Sequence, residues 1–169
     1  IRQLSNIKSE ARRMKRLGRL DLLIIDYLGL VRTGATFSSR YLEVGYITGD
    51  LKNLARELDI PVILLSQLNR PVKGAAVREP QLEDLRESGD IEQDADIVLL
   101  LHKPDYYNPE AVDSNGVSWK NRGKILIAKH REGVRNSTVI FRHDERYKKI
   151  FDEAEVPAKR LYGKEEVPF

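Results

Sequence analysis

The sequence predicts an α/β protein with a parallel central sheet flanked by helices, followed by C-terminal antiparallel strands. Three observations predict it. Leu22–Ile25 and Val62–Leu65 are continuously aliphatic runs, as expected for strands buried on both faces. Between them Ile47, Leu51, Leu54 and Leu58 recur at spacings of three and four, which is a helical stripe. Strand, helix and strand in that order make a βαβ crossover with parallel strands. Beyond residue 121 the pattern changes to short strands joined by turns such as Glu132–Gly133, which reads as antiparallel hairpins.

The first element is an amphipathic helix carried by Ile1, Leu4, Ile7, Ala11, Met14 and Leu17, with Gly18 as its stop. The strand Leu22–Ile25 follows and runs straight into Asp26. Residues 32–40 hold Thr, Gly and Ser and read as a loop. The second helix and the strand Val62–Leu65 come next, ending at Ser66 and Gln67. A third apolar run, Ile97–Leu101, follows a polar stretch. Residues 103–121 are rich in Pro, Tyr, Asn, Asp and Gly and read as a loop in which Trp119, Tyr106 and Tyr107 either pack or stack on bases. Ile125–Lys129, Thr138–Arg142 and Tyr147–Phe151 are the hairpin strands. Residues 152–169 are a polar tail with no assigned element.

Composition limits the function classes. The chain has 169 residues, 41% hydrophobic and 33% charged, with a net charge of +3, which suits one soluble domain with a core. Its longest apolar runs fall far short of the roughly 20 residues that span a bilayer, and no signal-peptide pattern opens it, so a cytoplasmic location without membrane contact is expected. It has no cysteine, which excludes disulfides and thiolate metal sites. His102, His130 and His143 lie on separate elements without metal-ligand spacing. Arg2, Lys8, Arg12, Arg13, Lys15, Arg16 and Arg19 are opposed by only Glu10 in the first nineteen residues. That is either a solvated helix face or a nucleic-acid footprint.

The candidate site residues lie at strand ends. Ligands of an open parallel sheet sit beyond the carboxyl ends of its strands, which is where Asp26 and Gln67 stand. A carboxylate buried without a partner costs several kcal/mol, so Asp26 either caps the strand in water or meets a cation. An acid after large aliphatics has the form of a Walker B aspartate, which holds Mg²⁺ beside a nucleotide's phosphates. Gln67 is either a loop amide or a neutral group that reports a γ-phosphate. Lys129 and Arg131, two apart on a strand, share a face while His130 points away.

The succession DLLIIDYLGLV, LARELDIPVILLSQLNR, DLRESGDIEQDADIVLLL and GKILIAKHREG resembles the RecA-like motor domain of DnaB-type bacterial replicative helicases. The likeness covers residues 1–151. Gly29 departs from the family, which commonly carries Gln there. The resemblance implies a RecA-like P-loop NTPase core and ATP-driven unwinding of DNA during replication. It implies ATP and Mg²⁺ as cofactors, with Asp26 as the metal ligand and Gln67 coupling nucleotide state to the DNA loops. It assigns Lys129 and Arg131 to a neighbouring subunit's γ-phosphate, the arginine acting as a finger. Arg86, Glu87 and Gly89 fall in the loop that tracks the single-stranded DNA backbone; without the resemblance that acidic stretch reads as a helix-capping surface loop. A homo-hexamer, single-stranded DNA, a primase and a helicase loader are the implied partners.

No GxxxxGK[ST] phosphate loop occurs in these residues. The expectation is a partial motor domain over residues 1–151, lacking its N-terminal, phosphate-cradling part and hydrolysing little or no ATP alone. Two rival readings are a nucleic-acid-binding or assembly module that never hydrolyses nucleotide, and another RecA-like ATPase such as a recombinase.

Overall fold

Leu4, Ile7, Ala11 and Met14 point the same way from helix α1 (Leu4–Arg16), and all four pack into one apolar cluster. The computed structural model describes residues 2–68, 78–85, 89–134, 137–146 and 148–153. They fall into two units. The first holds α1, β1 (Leu23–Ile25), α2 (Arg40–Leu58), β2 (Val62–Leu64) and α3 (Gly89–Asp94).

Gly18 ends α1 as expected. It takes φ +66°, a left-handed conformation that glycine reaches without steric cost. Two cations of α1 reach acids on α2. Lys8 pairs with Asp50 at 2.6 Å, and Arg12 makes a two-pronged contact with Glu57 at 2.6 and 2.7 Å. Arg13 reaches Glu10 on its own helix. These three cations are thus engaged by acids of the chain itself, which neither expectation for the basic run names.

Helix α2 begins at Arg40, well before the apolar stripe that predicts it. Tyr41, Leu42 and Tyr46 are exposed and break the periodicity in its first turns. Its start is set instead by Ser39, whose hydroxyl accepts the Leu42 N–H at 3.3 Å. Its far end closes with Asp59 at φ 48° and the Ile60 N–H on the Ala55 carbonyl at 3.1 Å, a Schellman-type stop. Val44, Ile47, Leu51, Leu54 and Leu58 fill the core between these ends.

Strands β1 and β2 are parallel, with Leu23 opposite Val62, Ile24 opposite Ile63 and Ile25 opposite Leu64. Leu23, Ile25, Val62 and Leu64 face the cluster. Ile24 and Ile63 are 57% and 49% exposed. The expectation of burial on both faces therefore fails: among the described residues only one face of this ladder is covered.

The second unit is a four-stranded antiparallel sheet in the order β3 (Ile97–His102), β4 (Arg122–His130), β5 (Ser137–Asp144) and β6 (Lys149–Asp152). β3 alternates, with Val98, Leu100 and His102 buried and Ile97, Leu99 and Leu101 exposed. Gly123 stands opposite Phe141; a Cβ there would lie 2.5 Å from the Phe141 ring, so the missing side chain admits the ring. The register slips between Val98 and Leu99, leaving Ala128 as a bulge.

The segment 103–121 is less irregular than expected. It holds a short helix α4 (Pro104–Tyr107), with proline at its start, and a bridge between Val112 and Ser118. Trp119 packs, at 6% exposure, with the Arg122 guanidinium and the Lys124 ammonium each 4.8 Å from its ring centre. Tyr106 does not: it is 77% exposed and meets Tyr107 edge-on at 5.1 Å. Buried Arg122 joins Asp113 at 3.0 Å and Glu153 at 2.6 Å, so residues 152 and 153 belong to the folded unit rather than to a tail. No helix among the described residues is long and apolar enough to cross a membrane.

Candidate functional site

Asp26 and Gln67 leave the same edge of the parallel ladder. The Leu65 N–H donates to the Ile25 carbonyl at 3.0 Å, and the Leu65 carbonyl accepts the Leu28 N–H at 2.9 Å. These two bonds bracket Asp26 and Tyr27, and Gln67 follows Leu65 by two residues. The Asp26–Tyr27 peptide is cis. Asp26 and Gln67 are both exposed, as a strand-end site requires. The chain then turns through a short 3₁₀ segment, Leu28–Leu30, with Leu28 and Val31 anchored in the core. Buried aliphatics thus fix the backbone on both sides of Asp26 and leave its carboxylate outside.

Gly29 has a local counterpart. The Tyr27 ring lies where a side chain at position 29 would start. A glutamine at this position, common in the family that the sequence resembles, would require the ring to move.

Lys129 and Arg131 belong to the second unit. Lys129 stands opposite Val98 on β4, and Ile127 stands opposite Leu99. Cross-strand partners share a face, and Val98 and Leu99 point to opposite faces. The bulge at Ala128 therefore places Lys129 on the face opposite Ile127, which simple alternation does not predict. His130 pairs with Ile97 and points to the other face, as expected. Strand β4 ends at His130, so Arg131 lies one residue past it, exposed in a bend, and the expectation that the two cations share a strand face does not hold.

Of the three DNA-loop candidates, Arg86 and Glu87 lie outside the described residues. Gly89 is the first residue of α3.

A resident metal cage is absent among the described residues: no group of three potential ligands occurs. A single open carboxylate suits Mg²⁺ of another kind. Mg²⁺ keeps several waters and is commonly held by one or two carboxylates together with substrate phosphates. Asp26 offers that one hard oxygen ligand.

The loop after β1 and the start of α2 enclose an open cleft of about 460 Å³. Its cations are already engaged: Arg40 donates to Glu43 at 2.6 Å and to the Val31 and Leu28 carbonyls at 3.1 Å, and Arg32 donates to the Gly29 and Val31 carbonyls at 2.8 Å. The Thr33 N–H, with Arg40 assisting, holds the Glu43 carboxyl below its ordinary value. This cluster pins the loop to α2. Sequence reading missed it, because its carbonyl acceptors carry no sequence signal.

The family model described as DnaB-like helicase C terminal domain matches residues 2–152. A replicative DNA helicase DnaB of Geobacillus stearothermophilus is 41% identical over 162 residues, covering 92% of this chain and 34% of the relative. The Rickettsia conorii protein of the same name is 41% identical over 158 residues, covering 87% and 32%. The chain thus spans about a third of the length of the curated relatives it matches. Among solved structures, one of a DnaB-like replicative helicase and its interactions with primase aligns with TM-score 0.78 and 38% identity, over 89% of this chain and 36% of that one. A second, of an ATPase domain, aligns with TM-score 0.79 and 38% identity, over 89% and 51%.

Proposed function

The chain belongs to the DnaB-like helicase C-terminal domain family, and from that premise we propose that it supplies part of the motor of a replicative DNA helicase. In this reading the assembled protein couples ATP hydrolysis to movement along single-stranded DNA and separation of the duplex.

The observation that carries the reading is the shared departure of Asp26 and Gln67 from one end of a parallel ladder. An acid and a neutral amide at neighbouring strand tips suit a triphosphate. Asp26 holds Mg²⁺, which when bound neutralises charge on the phosphates. Gln67 accepts and donates hydrogen bonds without adding charge, so it can sense the terminal phosphate and pass that state to the DNA loops. Lys129 and Arg131 act on a neighbouring protomer's nucleotide, which ties turnover to ring assembly; an arginine supplied in trans stabilises the transferring phosphoryl group. Arg86, Glu87 and Gly89 follow the DNA backbone, and phosphate contacts of that kind need no base identity.

The partners in this proposal are five further copies in a hexamer, single-stranded DNA, a primase and a helicase loader. The relative solved with attention to its primase interactions supports the primase. The location is the cytoplasm. A forked-duplex unwinding assay on the assembled helicase containing this chain tests the reading. Unwinding that requires ATP and Mg²⁺ supports it, and DNA binding without any unwinding refutes it.

A further inference from the structure

Thr48 sits on α2 at 5% exposure, with Val44, Ile47 and Leu51 in the core around it. Its hydroxyl lies 2.7 Å from Asp94 Oδ2 and 3.0 Å from the Gly45 carbonyl. One hydroxyl carries one proton, and an ionised carboxylate only accepts. The shorter, charge-assisted contact to Asp94 is the stronger of the two.

Two further contacts hold α3 in place. Lys52, one turn along α2, pairs with Asp96 just beyond α3. Ile91 packs against the core cluster, and its carbonyl accepts the Ala95 N–H at 3.0 Å. Gly49 lies beside this contact, and a Cβ there would stand 3.7 Å from the same Asp94 oxygen, an ordinary packing distance.

Helix α3 has 6 residues, too few to be stable by itself. Its direction is therefore set by what holds it. The anchors gather at its C-terminal end, and its first residue, Gly89, is one of the three DNA-loop residues of the proposed function.

We propose that Thr48 and Asp94 are positioning residues, a hydroxyl–carboxylate joint that fixes α3 on α2 and so aims the Gly89 end at single-stranded DNA. The joint touches neither nucleotide nor DNA. It rests on the reading of residues 86–89 as the DNA-tracking segment. It also makes α2, which follows the Asp26 turn in the chain, the support on which the DNA segment is mounted.

The test is binding of fluorescent oligo(dT) to the 169-residue chain at low salt, by anisotropy, with amide hydrogen exchange as a second readout. Thr48→Val removes the hydroxyl and keeps the shape. It is expected to weaken oligo(dT) binding about tenfold, the scale of one hydrogen bond to a charged group, and to speed exchange at Ile91–Ala95 but not at Ile47 or Leu54. Thr48→Ser restores the hydroxyl and is expected to bind within about twofold of wild type. Asp94→Asn keeps the size, weakens the joint in the same direction, and serves should Thr48→Val fail to fold. Wild-type affinity and exchange in Thr48→Val or Asp94→Asn would overturn the joint while leaving the DNA reading intact. An Arg86→Ala variant that binds as well as wild type, or a wild type that does not bind, would overturn the DNA reading and the joint with it.

Discussion

Ile25 and Leu64 are register partners in the parallel ladder, and the Leu65 N–H closes on the Ile25 carbonyl at 3.0 Å. This pairing holds Asp26 and Gln67 at one sheet edge. It depends on the core beneath, where Leu23, Ile25, Val62 and Leu64 rest on α2 residues.

Leu54 is 1% exposed at the centre of that core. Leu54→Ala removes buried methyl groups and leaves a cavity, at a cost of about 2–5 kcal/mol. Urea unfolding monitored by circular dichroism should show a correspondingly lower midpoint with an unchanged slope. A change under about 0.5 kcal/mol, the size of a surface substitution, would mean that the cluster is not the core.

Gly123 makes the second unit a test of overpacking. Gly123→Ala places a methyl against the Phe141 ring, and extra atoms in a tight contact cost about 1–3 kcal/mol. The double variant Gly123→Ala, Phe141→Leu should recover part of that loss in the same unfolding experiment. Additive losses would show that the two residues do not meet.

His102 gives the second unit a pH dependence. Its burial, with Lys124 adding, holds the imidazole below its ordinary 6.5, and Glu79 opposes the shift. The unfolded chain then binds the proton more readily than the folded one, so stability rises with pH across this window. The contribution is full above 6.5 and is lost as pH falls through the depressed folded value. Thermal melts between pH 7.5 and 5 should show a falling midpoint that flattens in His102→Phe. An unchanged slope in that variant would remove His102 as the cause.

The same chain should release no phosphate from ATP above background in a colorimetric assay, because these residues contain no phosphate-cradling GxxxxGK[ST] loop. In the assembled helicase, Arg131→Ala should lower ATP turnover about 10³-fold with nucleotide affinity nearly unchanged. Turnover by the isolated chain would refute the first statement, and normal turnover in the variant ring would remove the finger role.

What was legible in the sequence depended on periodicity. The runs at 22–25 and 62–65 and the stripe from Ile47 to Leu58 gave the ladder and the helix, since burial enforces both patterns. The first turns of α2 were hidden because Tyr41, Leu42 and Tyr46 face solvent. The bulge at Ala128 was hidden because it arises from how β4 pairs with β3, a relation that neither strand records alone. The site divides the same way. Asp26 and Gln67 stand out as polar residues ending apolar runs, whereas Thr48 and Asp94 meet across 46 positions and carry no local mark.

The most direct test of the central claim is a structure of the assembled helicase with Mg²⁺ and a non-hydrolysable ATP analogue. The account predicts the Asp26 carboxylate in the metal's coordination sphere, directly or through one water, and the Gln67 amide within hydrogen-bond reach of the γ-phosphate. A nucleotide bound with either side chain turned to a different surface would contradict it.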